Sequence, residues 1–273
     1  EQAAQIQQRL FPDKAPQAEG VDIAARAVPA RHCGGDYYDF IKFPDGKIAM
    51  MVGDVAGKGM PASLLMSSLQ ARVHVLFDSS EELGDKIGKL NKATCGNCPD
   101  NRFITFFLGI ANGKTGELSY SNAGHNPPLL IRRQGGYETL QEGGMILGIL
   151  PIAPYQEAAV KMERGDILVL FSDGVTEAAN LKDEEFGEER LVHGHGLAAV
   201  AVEERQADLD IAALHCLLDA LAHRAFEMIE PRRQAQAHIK PLGIDRLHFP
   251  SPAKAVLVSR CAGKAGHAFC TRF

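Results

Sequence analysis

The sequence predicts an α+β fold, a sandwich of two mostly antiparallel β-sheets flanked by helices. Three observations lead there. Strand-like stretches follow one another from residue 21 to residue 171, broken only by turn residues and one pair of helical patterns. Asp45-Gly46, a strong hairpin signal, joins two of those stretches as antiparallel neighbours. From residue 181 onward the pattern turns helical, and strands followed by helices belong to the α+β class.

Taken in order, residues 2–11 read as the end of a helix, with Ile6, Leu10 and Phe11 on one side, before Pro12 and Pro16 break it. Residues 21–28 alternate as a strand, and 38–43 form another, turned by Asp45-Gly46 into the apolar run 48–52. Pro61 stands in the first turn of a long helix over 62–77, with Leu64, Leu65, Leu69, Val73 and Leu76 on one side. A second helix is expected over 80–93. Residues 102–111 make a continuous strand, 118–122 and 129–133 flank Pro127-Pro128, and glycine pairs at 135–136 and 143–144 punctuate further short strands. The run 167–171 ends this series, and residues 207–226 carry an amphipathic helical pattern.

Composition excludes several classes. The 273 residues are 45% hydrophobic and 23% charged, enough apolar content for a large core, and the net charge of -5 argues against nucleic-acid binding. No apolar stretch reaches the roughly 18 residues of a membrane span. The polar start carries no signal peptide, so a cytoplasmic location is expected. Six cysteines show no disulfide framework. The pair Cys95 and Cys98 lacks the second half of a zinc site or a redox motif, and reads as two reduced loop cysteines.

The chemistry concentrates in three acids at glycine-flanked strand ends: Asp36 in Gly34-Gly35-Asp36, Asp54 in Gly53-Asp54-Val55, and Asp173 in Ser172-Asp173-Gly174. A carboxylate at the end of a buried strand is poorly solvated and calls for a cation. Three of them, far apart in sequence, suit a hard-metal site assembled by folding. Gly53 to Lys58 mimics part of a phosphate-binding P-loop, but Gly59 stands where that loop needs Ser or Thr, and nucleotide binding is rejected.

The segments GGDYYDF (34–40), VGDVAGKGMPASLLM (52–66), NAGHNPPLL (122–130) and LFSDGVTEA (170–178) resemble the bacterial PPM-type (PP2C-like) serine/threonine phosphatases, in particular the RsbU/SpoIIE-like branch. The resemblance covers residues 1–226. It implies the PPM β-sandwich and hydrolysis of phosphoserine or phosphothreonine by metal-activated water. It also implies a two-metal Mn²⁺ or Mg²⁺ site, with Asp36, Asp54, the Val55 backbone carbonyl and Asp173 as its ligands. The implied substrate is a phosphorylated regulatory protein, a STAS-type anti-sigma-factor antagonist, and an upstream sensor or receiver domain is implied as well. Residues 1–16 would then end an N-terminal signalling helix, and 17–226 would form the phosphatase domain.

Asp39 is a weaker metal candidate, His125 reads as fixing a turn through hydrogen bonds, and Lys58 reads as a solvated lysine. The resembled pattern closes with an Asp-Asp segment that opens a final central strand and completes the metal site. Residues 227–273 hold no such segment, and their His, Arg, Ala and Pro content is that of an out-of-frame translation of GC-rich coding sequence. A divergent tail produced by a shifted frame near residue 227 is the expectation. Asp245 and the apolar run 255–259 are the candidate substitutes. The alternative function is therefore a catalytically impaired PPM-like binding or regulatory module.

Overall fold

This computed structural model describes residues 2–27, 33–76, 82–99, 101–177, 185, 187–189, 191–192 and 255–261. The chain opens with α1 (Gln2–Gln8), β1 (Val21–Ala27), β2 (Tyr37–Lys42) and β3 (Ile48–Val55). The helices α2 (Met60–Leu76) and α3 (Leu83–Cys95) come next. Then follow β4 (Ile104–Asn112), β5 (Glu117–Ala123), β6 (Leu129–Ile131), β7 (Tyr137–Thr139), β8 (Gly143–Gly144), β9 (Ala158–Lys161) and β10 (Ile167–Phe171). The short helix α4 (Asp173–Thr176) and the strand β11 (Ala255–Cys261) complete the described elements.

Two sheets form, as expected for the α+β class. One has the order β1-β11-β10-β6-β7, the other β2-β3-β4-β5-β8, with β9 also paired to β5. Every pairing is antiparallel except the short β5–β8 contact. The hairpin between β2 and β3 turns where Asp45-Gly46 predicts. Gly46 takes φ +87°, Lys47 N–H donates to Asp45 Oδ1 at 3.1 Å, and Phe43 N–H donates to the Lys47 carbonyl at 2.9 Å.

Side-chain alternation in β3 divides the core into two layers. Ile48, Met50 and Val52, with Phe107 of the neighbouring β4, point at the other sheet, where they meet Leu130, Leu168 and Leu170. Ala49, Met51 and Val55 point the other way, onto Met66, Leu69 and Val73 of α2 and Ile87 and Leu90 of α3. A strand buried on both faces has no polar side to show, which is why 48–52 reads as an unbroken apolar run.

Some elements differ from expectation. In α1, Gln7 is the buried residue and Ile6 is 65% exposed, because main-chain groups of Gly34 fill the buried side of the helix and require polar partners. In α2, Leu64 is 64% exposed and Met66 takes its place in the core. The helix expected over 80–93 runs from Leu83 to Cys95. The amphipathic pattern at 207–226 lies outside the described residues. Within the tail set apart at 227–273, Ala255–Cys261 becomes the strand between β1 and β10, with Val258 paired to Ala24 on one side and Val169 on the other.

Candidate metal-binding active site

The β2–β3 ladder closes at Tyr37 opposite Gly53, so the next residues outward on each strand, Asp36 and Asp54, leave the sheet at the same end. Alternation turns both toward the opposing sheet, since Phe40 and Met50, which share their phase, pack there. Asp36 is buried and Asp54 half-buried. Gly35 brings the two loops together. Val55 N–H donates to the Gly35 carbonyl at 3.3 Å. A Cβ on Gly35 would lie 2.6 Å from the Val55 carbonyl oxygen and 3.1 Å from Asp54 Oδ1. Any side chain there would fill the space on which these two oxygens converge.

The Gly34-Gly35-Asp36 loop is held from the N-terminal helix. Gln7 Nε2 donates to the Gly34 carbonyl at 2.7 Å, and Gly34 N–H donates to Gln7 Oε1 at 3.0 Å. Both polar groups of one buried amide are thus spent on one residue of the loop.

Asp173 opens α4 at the end of β10 in the other sheet. Its Oδ1 and the Ser172 hydroxyl are shielded from solvent, with no hydrogen-bond partner among the described residues. His125 ties this end to the Asp54 end. Its Nε2 lies 3.0 Å from the Phe171 carbonyl, and its Nδ1 lies 2.8 Å from Thr105 Oγ1. Thr105 faces Asp54 in the β3–β4 ladder, and its Oγ1 is 3.5 Å from the Asp54 carbonyl. A carbonyl can only accept, so Nε2 carries the proton and Nδ1 accepts from the threonine hydroxyl. Burial holds the imidazole pKa down to about 4, while the Phe171 carbonyl acts in the other direction. The ring is neutral at pH 7. The turn beneath it is fixed as the sequence suggests: His125 N–H donates to Asn122 Oδ1 at 2.8 Å, and Asn122 Nδ2 donates to the His125 carbonyl at 3.1 Å.

The weaker candidates lie elsewhere. Asp39 is buried on the helix-facing side of β2, opposite in phase to Asp36. It accepts from the Tyr37 hydroxyl at 3.1 Å and from Phe40 N–H at 2.7 Å, and its Oδ2 lies 2.7 Å from His74 Nε2 of α2. Burial, followed by the Asp39 charge, raises the Tyr37 pKa, so its hydroxyl stays a donor. Lys58 is exposed beside the Asp54 loop. Asp245 lies outside the described residues. Cys95 and Cys98 are free thiols.

Sequence reading missed Gln7, Thr105 and the bridging role of His125. A buried glutamine in a short helix and a threonine in a strand carry no signal until their partners are known.

The donor set suits a hard cation. Asp36, Asp54 and the Val55 carbonyl all offer oxygen, and Asp173 Oδ1 is a shielded oxygen with no donor among the described residues. Among the described residues no three His, Cys, Asp or Glu side chains converge as a complete cage. Mg²⁺ does not need one, because it keeps several waters and takes one or two carboxylates. The residues present therefore fit such an ion.

The sequence family described as Stage II sporulation protein E (SpoIIE) matches residues 44–225, about two thirds of the protein. The chain belongs to the SpoIIE family. Within the SpoIIE match fall Asp54, Thr105, His125 and Asp173, while Gln7 and Asp36 precede it. The phosphoserine phosphatase RsbU of Bacillus subtilis is 36% identical over 176 residues, covering 64% of this chain and 52% of RsbU. The chain thus spans about half the length of that relative. In fold it is similar to the SiaA-PP2C domain of Pseudomonas aeruginosa, with a TM-score of 0.68 and 17% identity over 96% of this chain and 95% of that one. The RsbU and RsbW domains of Rv1364c from Mycobacterium tuberculosis give a TM-score of 0.65 and 20% identity, covering 92% of this chain and 62% of that one. This SpoIIE-family chain thus has the PPM-type fold of the RsbU/SpoIIE-like branch.

Proposed function

We propose that this chain is a metal-dependent phosphoprotein phosphatase that hydrolyses phosphoserine or phosphothreonine on a regulatory protein. The observation that carries the reading is the Gly35 cradle, where Asp54 Oδ1 and the Val55 carbonyl converge beside Asp36. In this reading Asp36, Asp54 and the Val55 carbonyl hold Mn²⁺ or Mg²⁺ from one sheet, and Asp173 holds the flank from the other. Bound there, the cations would neutralise phosphate oxygens and lower the pKa of water. The chain's own part is positional. Gln7 fixes the loop that carries Asp36. Thr105 and His125 keep the Asp54 and Asp173 ends in register, and Gly35 leaves room for the ester to approach.

RsbU is a phosphoserine phosphatase, and the Rv1364c structure holds an RsbU domain together with an RsbW domain. Both support a substrate of the STAS-type anti-sigma-factor antagonist class. The reading includes an upstream sensor or receiver domain joined through α1, a phosphatase domain over 17–226, and a cytoplasmic location. No helix among the described residues is long and apolar enough to cross a membrane. A shifted frame near residue 227 remains the reading of the tail, and resequencing the source DNA to find one uninterrupted frame overturns it.

The test is hydrolysis of a phosphoserine protein with Mn²⁺, against EDTA and an Asp54→Ala control. Turnover that needs Mn²⁺ and is lost in both controls supports the phosphatase. One observation favours the second reading, an impaired PPM-like module. Val256 of β11 pairs with Phe171, so this strand starts at the Asp173 end of the sheet, yet the four residues before it in sequence are Ser251, Pro252, Ala253 and Lys254. None is an acid. Absence of turnover from folded protein that still binds Mn²⁺ selects this second reading.

A further inference from the structure

The loop that follows Asp54 is pinned by the two consecutive residues that precede β4. Ala56 N–H donates to the Phe103 carbonyl at 2.9 Å, and Arg102 Nη1 donates to the Ala56 carbonyl at 2.5 Å. The guanidinium lies across Gly57, which takes φ +110°, and a Cβ on that residue would overlap the guanidinium. The glycine therefore serves two needs at once: a backbone conformation that L side chains rarely adopt, and room for the arginine. Arg102 is itself anchored from below. Its N–H donates to the Pro99 carbonyl at 2.9 Å, and its carbonyl accepts from Cys98 Sγ at 3.3 Å.

We propose that Arg102 is a positioning residue for the metal loop, setting the direction of the Val55 carbonyl and the Asp54 carboxylate by clamping the Ala56–Gly57 peptide. This inference rests on the metal-site reading above. The Val55 carbonyl belongs to the peptide that ends at Ala56 N. Phe103 holds that peptide through the Ala56 N–H, and Arg102 holds the next one through the Ala56 C=O, so the arginine restrains the Val55 peptide through the Ala56 backbone between them. A charged donor on a carbonyl makes the stronger kind of hydrogen bond. Release of the arginine clamp leaves Gly57 free to visit the other conformations open to glycine, so that the Val55 peptide keeps the Phe103 bond alone and its oxygen is held less firmly toward Gly35.

The role separates from plain structural support by what each would move. Arg102→Met and Arg102→Lys are compared with the unsubstituted chain by hydrogen exchange in EDTA and by calorimetric titration with Mn²⁺. In Arg102→Met, exchange at residues 55–59 is expected to accelerate at least about tenfold without metal, while protection of β3 and β4 is kept. The Mn²⁺ dissociation constant is expected to rise about 10- to 100-fold, the range for losing a group that orients a ligand. Arg102→Lys, which keeps a cationic donor, is expected to recover part of both. Unchanged loop exchange, or a loosened loop with unchanged Mn²⁺ affinity, overturns the proposal. If the unsubstituted chain binds no Mn²⁺, the metal-site reading fails and the positioning role toward metal falls with it. The exchange data then still report whether the clamp orders the loop.

Discussion

His125 donates from Nε2 to the main-chain carbonyl of Phe171 at 3.0 Å, joining the end of β5 in one sheet to the end of β10 in the other. That bond keeps its donor when the ring is protonated, whereas Nδ1 accepts from Thr105 only in the neutral ring; the acid-labile element is thus the Thr105 side of the bridge.

The pH dependence follows in sign. With a folded pKa of about 4 against an ordinary 6.5, the unfolded chain binds the proton first as pH falls. The stabilisation is therefore complete above pH 6.5 and is lost progressively down to about pH 4. Its size is on the order of 3 kcal/mol for a shift of this extent. Urea unfolding at pH 7.5 and pH 4.5 is expected to show this loss. His125→Gln is expected to lower stability at pH 7.5 and to flatten the His-dependent part of the difference.

Asp54→Asn tests the cation reading without a turnover assay. Removing one carboxylate of the neighbouring Asp36–Asp54 pair relieves like-charge repulsion in the metal-free protein. The thermal midpoint in EDTA is expected to stay level or rise. The upward shift on adding Mn²⁺ is expected to vanish, and Mn²⁺-dependent hydrolysis to fall about 100-fold or more.

Gly35→Ala introduces a Cβ 2.6 Å from the Val55 oxygen, where something must move. Mn²⁺ affinity measured by calorimetry is expected to drop by about 10- to 100-fold, as for other losses of ligand orientation. Far-ultraviolet circular dichroism is expected to stay the same.

Gln7→Ala removes both hydrogen bonds to Gly34 and leaves the N–H and C=O of that half-buried residue without the glutamine. A loss of about 1–3 kcal/mol is expected in denaturant unfolding. Faster hydrogen exchange at residues 34–36 would accompany it.

Val258→Pro deletes the backbone donor of a residue that faces Ala24 on one side and Val169 on the other. Proline in a central strand breaks the ladder. The variant is expected to lose its cooperative thermal transition, whereas the same change in a tail that stays outside the sheet would leave the transition intact.

Much of the sandwich was legible because its signals are local. Asp45-Gly46 names its own turn, and the unbroken apolar run at 48–52 reports a strand covered on both faces. The three acids at glycine-flanked strand ends were legible for the same reason, since each sits at a visible change of pattern. What the sequence does not carry is pairing across distance. Gln7 reads as one glutamine among several in a polar helix, and only Gly34 beside it explains its burial. Arg102 reads as the first residue of a strand until the Ala56 carbonyl is placed against it. Leu64 was misassigned because a helix rich in leucine offers several plausible faces, and the sheet beneath chooses one.

The position of β11 has a consequence for how the protein is made. Val21 pairs with Cys261, so a strand that leaves the ribosome early waits for a neighbour synthesised more than two hundred residues later. Until then β1 and β10 each present an open edge, and open edges recruit whatever strand is nearest. Neighbouring nascent chains on one polysome are the nearest strands available. Completion of the sheet thus waits for residues 255–261, and the strand beside the Asp173 end of the site is in place only then. A chain halted before residue 255 would carry every acid of the Asp36–Asp54–Asp173 set and still lack the strand that closes the sheet beside it.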